Sequence, residues 1–325
     1  MTLARYPKVE LHIHLEGCLT PADAVGLARR NGLKWAPDRL LSLYRHGSFK
    51  EFLVHFGALL DLFKSPEDLC WLLDRTLSRL RRQGVIYCEM RLSPSVWERH
   101  GLQAERSLSA ILSYAAALAA PVRFIVDAVR QWEQELLMRD LDLACAYRDQ
   151  GVVALGIGGD EAAVPAGDLV ALADECKARR IPVIPHAGEV LGPHEVASAV
   201  EVFRARRIGH GISAARSPAL MGDLARRGVH LEVCPTSNRR TGAVPRGSRH
   251  PLRRLWQAGV QLSLGTDDPA LFGATLCGEL SWAERSAGWT RADTVRSQVL
   301  AARASLLPKA ARDDLARRIE AGWEP

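Results

Sequence analysis

Eight short apolar runs, spread along the whole chain and separated by stretches of helical periodicity, constrain this fold more than any other feature. They are Val9–His14, Val85–Arg91, Val122–Asp127, Val152–Ile157, Pro182–His186, Arg207–His210, Val229–Cys234 and Gln261–Thr266. Between them lie segments such as Pro165–Arg180 and Pro193–Arg206, whose apolar residues recur at helical spacing. Strand–helix alternation of this kind implies a parallel sheet. Eight units predict closure into an α/β (β/α)8 TIM barrel, with an open doubly wound sheet as the competing architecture. A single barrel domain over residues 1–325 is the expectation, since one barrel commonly reaches this length.

One connection breaks the pattern. Between His14 and Val85 lie roughly seventy residues, far more than a crossover needs. A helical insertion over about residues 20–80 is predicted there. Within it, Phe49, Phe52, Leu53 and Phe56 fall at helical spacing, which fits a core-facing helix or, after a C-terminal strand end, a lid.

The bulk numbers exclude several classes. With 47% hydrophobic and 25% charged residues, disorder and fibrous structure are not expected. The formal charge of +6 raises the question of nucleic acid. The basic residues, however, sit in scattered pairs such as Arg29-Arg30 and Arg226-Arg227, late in predicted helices, where cations suit the dipole. Seven cysteines without a C-x-x-C pair point to reduced thiols. No signal-peptide pattern and no membrane-length apolar window is seen, so a soluble cytoplasmic protein without membrane or nucleic-acid partners is expected.

The chemistry-bearing residues collect at strand ends. His12 and His14 are two apart on the first strand and so share a face. His186 and Glu189 follow the fifth run, His210 ends the sixth, and Asp267 and Asp268 follow the eighth. In a barrel these positions ring the C-terminal mouth, where branched aliphatics would otherwise be expected. A metal gives them a common purpose. Zinc accepts imidazole nitrogen and carboxylate oxygen, so His12, His14, His186 and Asp267 are the candidate ligands of one zinc ion. Magnesium suits a histidine-rich set less well. Zinc would bring bound water to a pKa of about 7. Glu189 and His210 remain as the acid and base for adding water to an electron-poor carbon. Asp268 could hold a ring nitrogen, or serve as a turn residue before Pro269. Gly156-Ile157-Gly158-Gly159 lacks a phosphate-binding fingerprint and suggests close backbone approach to a flat ligand, or a plain turn.

Four segments in order carry a resemblance: Tyr6-Pro-Lys-Val-Glu-Leu-His-Ile-His-Leu-Glu-Gly17, His186-Ala-Gly-Glu189, Arg207-Ile-Gly-His-Gly211 and Thr266-Asp-Asp-Pro269. They resemble the adenosine/adenine deaminase family of the amidohydrolase superfamily. The resemblance implies a (β/α)8 barrel that removes the amino group of a 6-aminopurine. It implies the same four zinc ligands, Glu189 as proton donor to purine N1, and His210 as the group that orients and deprotonates the water. It implies Asp268 as partner of N7, the Gly159 N–H as partner of N3, and the helix of Phe49, Phe52, Leu53 and Phe56 as a lid over the purine.

Two departures bear on the substrate. Glu16 stands where adenosine deaminases carry an aspartate for the ribose 5′-hydroxyl, and adenine deaminases and relatives acting on modified nucleosides resemble this chain there. Gly156 replaces an acidic residue common in vertebrate enzymes. Arg239 and Arg240 stand where relatives often have uncharged residues. Either could meet a carboxylate on the 5′ side, such as the tail of the menaquinone precursor aminodeoxyfutalosine, or both could lie in a solvated loop. Other readings are a free-base adenine deaminase, an H-x-H metal-dependent phosphoesterase and a non-catalytic purine-binding barrel. The P-C-x-x-C that completes the zinc signature of nucleic-acid deaminases is absent.

Overall fold

The computed structural model describes residues 3–45 and 48–323, the Phe49 side chain excepted. Eight strands follow in chain order around one sheet: β1 (Lys8–His14), β2 (Val85–Leu92), β3 (Val122–Val129), β4 (Val152–Gly158), β5 (Val183–Ala187), β6 (Arg207–His210), β7 (His230–Val233) and β8 (Gln261–Leu264). Each pairs in parallel with the next. Helices lie between successive strands, giving a nearly closed (β/α)8 barrel. The eight runs expected from the sequence are these strands, displaced by at most a few residues.

Closure between β8 and β1 has an unusual seam. The Ile13 backbone pairs with Asp267, beyond the end of β8. The His12 carbonyl accepts from Thr266 and Asp267 N–H at 3.1 and 2.9 Å, and His14 N–H donates to the Asp267 carbonyl at 2.9 Å. The join is therefore made at the barrel's C-terminal end.

The segment after β1 is helical. It contains α1 (Pro21–Arg30), α2 (Pro37–Ser42), α3 (Phe49–Leu60) and α4 (Pro66–Arg82). Local chemistry starts these helices well. Thr20 and Asp23 form a capping box at α1, Ser65 and Asp68 another at α4, and Ser48 caps α3. α4 buries Leu69, Leu72, Leu73, Leu77 and Leu80 and occupies the outer ring beside β2.

The barrel interior is not uniformly aliphatic. Arg207 of β6 bonds Glu89 of β2 and reaches Glu232 of β7 at 2.6 Å. Arg91 of β2 bonds Asp127 of β3 at 2.6 Å and approaches Glu232 at 3.4 Å. Links between non-adjacent strands must cross the interior. All five side chains are buried, and each charge has a partner, which is the condition for burying charge at all. Gly156 makes room for this pair: a Cβ there would lie 2.0 Å from Asp127 Oδ1 and 2.5 Å from Arg91 Nη1.

Candidate metal centre and acid–base pair

His12 and His14 leave the same face of β1, as their spacing predicts, and His186 comes in from β5. Asp267 joins them from the loop after β8, held at φ 61°, and His210 ends β6 at φ 62°. Both are left-handed conformations that cost a non-glycine residue energy and that turn the side chain out of the strand's alternation. Ligand atoms of His12, His14, His186 and Asp267 all lie within 4.8 Å of one another. Asp267 Oδ1 is 3.2 Å from His12 Nε2 and 3.3 Å from His14 Nε2.

The far side of each ring shows what these nitrogens offer. His12 Nδ1 is 2.8 Å from Glu232 Oε2. Against the penalty of burial, Arg207, His12 and Arg91 hold Glu232 well below the usual carboxylate range. An ionised carboxylate only accepts, so His12 carries its hydrogen on Nδ1. His186 Nδ1 is 2.9 Å from the Ile157 carbonyl and donates likewise. Burial and the Arg91 charge push both rings toward the neutral form, His186 the more strongly. Two Nε2 lone pairs therefore face each other at 3.1 Å with no hydrogen between them. That arrangement is repulsive on its own and is relieved by a cation against both. At His14, burial works against the charged form, but Asp267, Asp268 and Asp127 prevail and raise its pKa to about 9. The potential at this point thus favours positive charge. Three imidazoles and a carboxylate of this geometry suit a tetrahedral metal with N and O ligands.

Glu189 and His210 lie beside the cluster. His210 Nε2 is 3.4 Å from Glu189 Oε2 and 3.9 Å from Asp267 Oδ2. Burial, with Asp267 and Glu161 nearby, raises the Glu189 pKa. The Thr241 hydroxyl donates to Glu189 Oε1 at 3.0 Å. The backbone around Glu189 is clamped by Glu161, whose carboxylate accepts from the N–H groups of Gly188 at 2.7 Å, Val190, and Leu191 at 2.6 Å.

The remaining expected residues divide. Asp268 is buried, its Oδ1 has no hydrogen-bond partner among the described residues, and burial next to Asp267 raises its pKa well above the usual range. Gly159 has φ 90°, and a Cβ there would lie 2.1 Å from Gln131 Oε1, so glycine is required. Glu16 Oε1 accepts from Ser93 N–H at 3.0 Å and Trp97 Nε1–H at 2.6 Å, while the buried Oε2 is unpartnered among the described residues. On α3, Phe52 is buried with its ring 4.9 Å from Phe272, four residues past Asp268, and 5.9 Å from Phe56. Leu53 stays 36% exposed, and the Phe49 side chain lies outside the described residues. Arg239 and Arg240 are exposed at the end of the helix Pro235–Arg240, with the Arg239 guanidinium 4.8 Å from the centre of the Trp282 ring.

Sequence reasoning missed the supporting residues Glu232, Glu161, Ser237, Asn238, Thr241 and His250. Only Glu232 carried a readable signal, as an acidic residue in the middle of the apolar strand His230–Val233. Ser237 donates to Asp267 Oδ2 at 2.6 Å, and Asn238 and His250 stand behind His210.

A parallel barrel with an imidazole–carboxylate cluster at its strand ends defines a hydrolase of the amidohydrolase fold. The chain belongs to the adenosine deaminase family, whose model matches residues 7–322. It is similar to the aminodeoxyfutalosine deaminase of Acidothermus cellulolyticus, 36% identical over 300 residues that cover 86% of this chain and 82% of that protein. It is also similar to the adenine deaminase of Agrobacterium fabrum, 31% identical over 316 residues, 96% and 97% of the two chains. Among solved structures, an amidohydrolase from Burkholderia ambifaria with bound zinc superposes with a TM-score of 0.86 at 25% identity, over 98% of this chain and 94% of that one. The protein is thus a hydrolytic deaminase of the purine type. No described helix is long and apolar enough to cross a membrane.

Proposed function

We propose that the protein converts a 6-aminopurine nucleoside, adenosine or a 5′-modified adenosine such as aminodeoxyfutalosine, to the 6-oxopurine and ammonia. One zinc ion per chain would be held by His12, His14, His186 and Asp267. The observation that carries this is the Glu189–His210 pair, 3.4 Å apart, with His210 Nε2 3.9 Å from Asp267 of the four-ligand cluster. When bound, zinc brings the pKa of water from 15.7 to about 7 and so supplies the nucleophile.

The chain's own groups do the rest. Glu189, kept protonated by burial and by Asp267 and Glu161, gives its proton to ring N1 and makes C6 electron-poor. His210 orients the attacking oxygen. The first water proton restores Glu189, and as the C6–N bond breaks the second leaves with the amine, so purine and water are balanced by oxopurine and ammonia. Asp268, held in its protonated form, donates to N7, an acceptor in every 6-aminopurine. The N–H of Gly159 meets N3. Phe52, Leu53 and Phe56 cover the ring, with Phe49 on the same helix. Arg239 or Arg240 would meet an acid on the 5′ side.

One observation favours free adenine as a second reading. Glu16 is tied by Trp97 and Ser93 rather than open to a sugar, and its lone unpartnered oxygen could accept the imidazole N–H of the free base. Zinc-loaded protein given adenine, adenosine and aminodeoxyfutalosine should release ammonia from at least one, and the kcat/KM order identifies the substrate. Arg239→Ala or Arg240→Ala should lower only the carboxylate-bearing substrate. Absence of ammonia from all three, or phosphoester hydrolysis with two or three metals per chain, would overturn the reading.

A further inference from the structure

The four histidines at the mouth differ in what stands behind them. His12 and His186 each have an acceptor at Nδ1, the Glu232 carboxylate and the Ile157 carbonyl. Their hydrogen is therefore on Nδ1 and their lone pair on Nε2. Behind His210 lies an amide instead: Asn238, 3.1 Å from His210 Nδ1. The other end of that amide is 3.3 Å from His250 Nε2.

The direction of this relay follows from a group with no ambiguity. The backbone N–H of Leu252 points at His250 Nδ1, 3.1 Å away, and can only donate. Nδ1 of His250 is thus an acceptor. His250 is buried, and burial together with the Arg239 charge lowers its pKa to about 3, so the ring is neutral with its single hydrogen on Nε2. That hydrogen needs the amide oxygen of Asn238. The Asn238 NH2 is then left facing His210, and His210 Nδ1 must accept. The His210 hydrogen lies on Nε2, pointing at Glu189 and Asp267. Asn238 itself is fully buried, and its backbone carbonyl accepts from Val244 N–H at 2.7 Å, so the amide cannot turn to solvent.

We propose that His250 and Asn238 are positioning residues that fix His210 as an Nε2–H donor. This rests on the deaminase reading above and refines it. His210 then has no Nε2 lone pair to offer a metal, which sets the four-residue cluster apart from the neighbouring His210, Cys234 and Asp267 group. It also donates a hydrogen bond to the attacking oxygen rather than taking its proton, which passes to Glu189 once that group has given its own to N1.

The test combines ring-nitrogen NMR of histidine-labelled protein, metal-free and zinc-loaded, with steady-state kinetics. His210 and His250 should show the Nε2–H pattern, and His12 and His186 the Nδ1–H pattern. Asn238→Asp presents only acceptors and should move the His210 hydrogen to Nδ1. It should lower kcat about 10²-fold, the scale of one lost transition-state donor, with KM within about threefold. His250→Phe frees the amide to turn and should do the same. His250→Gln, which can donate to Asn238 and accept from Leu252, should restore kcat to within a few-fold. An Nδ1–H pattern for His210 in the parent protein, or parental kcat in Asn238→Asp, would overturn the proposal. If no purine is turned over at all, the deaminase reading fails, and the NMR pattern still decides the relay.

Discussion

The histidine cluster and helix α3 both lie at the same mouth, yet they are held in opposite ways. His12 and His186 each grip a fixed partner with the nitrogen that faces away from the centre, and those partners are strand carboxylates or carbonyls. Helix α3 is held by apolar packing, Phe52 against Phe272 and the buried Leu59 and Leu60, while Leu53 and Val54 remain 36% and 64% exposed. The contrast separates two demands. Bond-making groups need placement to fractions of an ångström, so they sit on strands or within three residues of a strand end, backed by a second layer of hydrogen bonds. A surface that only covers a flat ring needs apolar area, and an inserted helix supplies it.

Three changes probe that division. The largest effect is expected from Glu189→Gln, which removes the proton donor but no ligand. Turnover should fall by about 10²–10⁴-fold with zinc content unchanged, as measured by ammonia release and metal analysis. Activity near the parent's would dismiss Glu189 as the acid. Next comes Glu232→Gln, which weakens the carboxylate behind His12. Zinc affinity should drop about 10–100-fold in competition with a chelator. An unchanged affinity in folded protein would mean that the far-side partners do not hold the cluster. The smallest effect is expected from Phe52→Ala on α3. It should raise KM by about tenfold, roughly 1.4 kcal/mol, and leave kcat and zinc untouched. A fall in kcat instead would make the helix part of the precise machinery and erase the contrast.

The same division explains what the sequence made legible. The strands are readable because each is a short apolar run, and His12 and His14 because strand alternation fixes their common face. His186, His210 and Asp267 are readable as polar breaks at the ends of such runs. The interior ions are harder. Arg91, Asp127, Arg207 and Glu232 look like interruptions until the barrel closes and pairs them across its width. His250 and Asn238 leave no trace in spacing, because the link between them is made by a loop and a backbone N–H. Charge marks Arg239 in the sequence, but the neighbour of its guanidinium, the Trp282 ring 4.8 Å away, is 43 residues distant and leaves no trace in spacing.

The seam between β1 and β8 has a consequence for assembly. Two of the proposed ligands, His12 and His14, stand near the start of the chain, and Asp267 is the residue whose backbone closes the barrel against them. During synthesis these parts meet only after most of the polypeptide has emerged. A truncated or half-folded chain therefore lacks the proposed coordination set, and ion capture would be a late event that reports completion. An ion bound there would favour the closed form by mass action and would resist reopening at the β1–β8 seam.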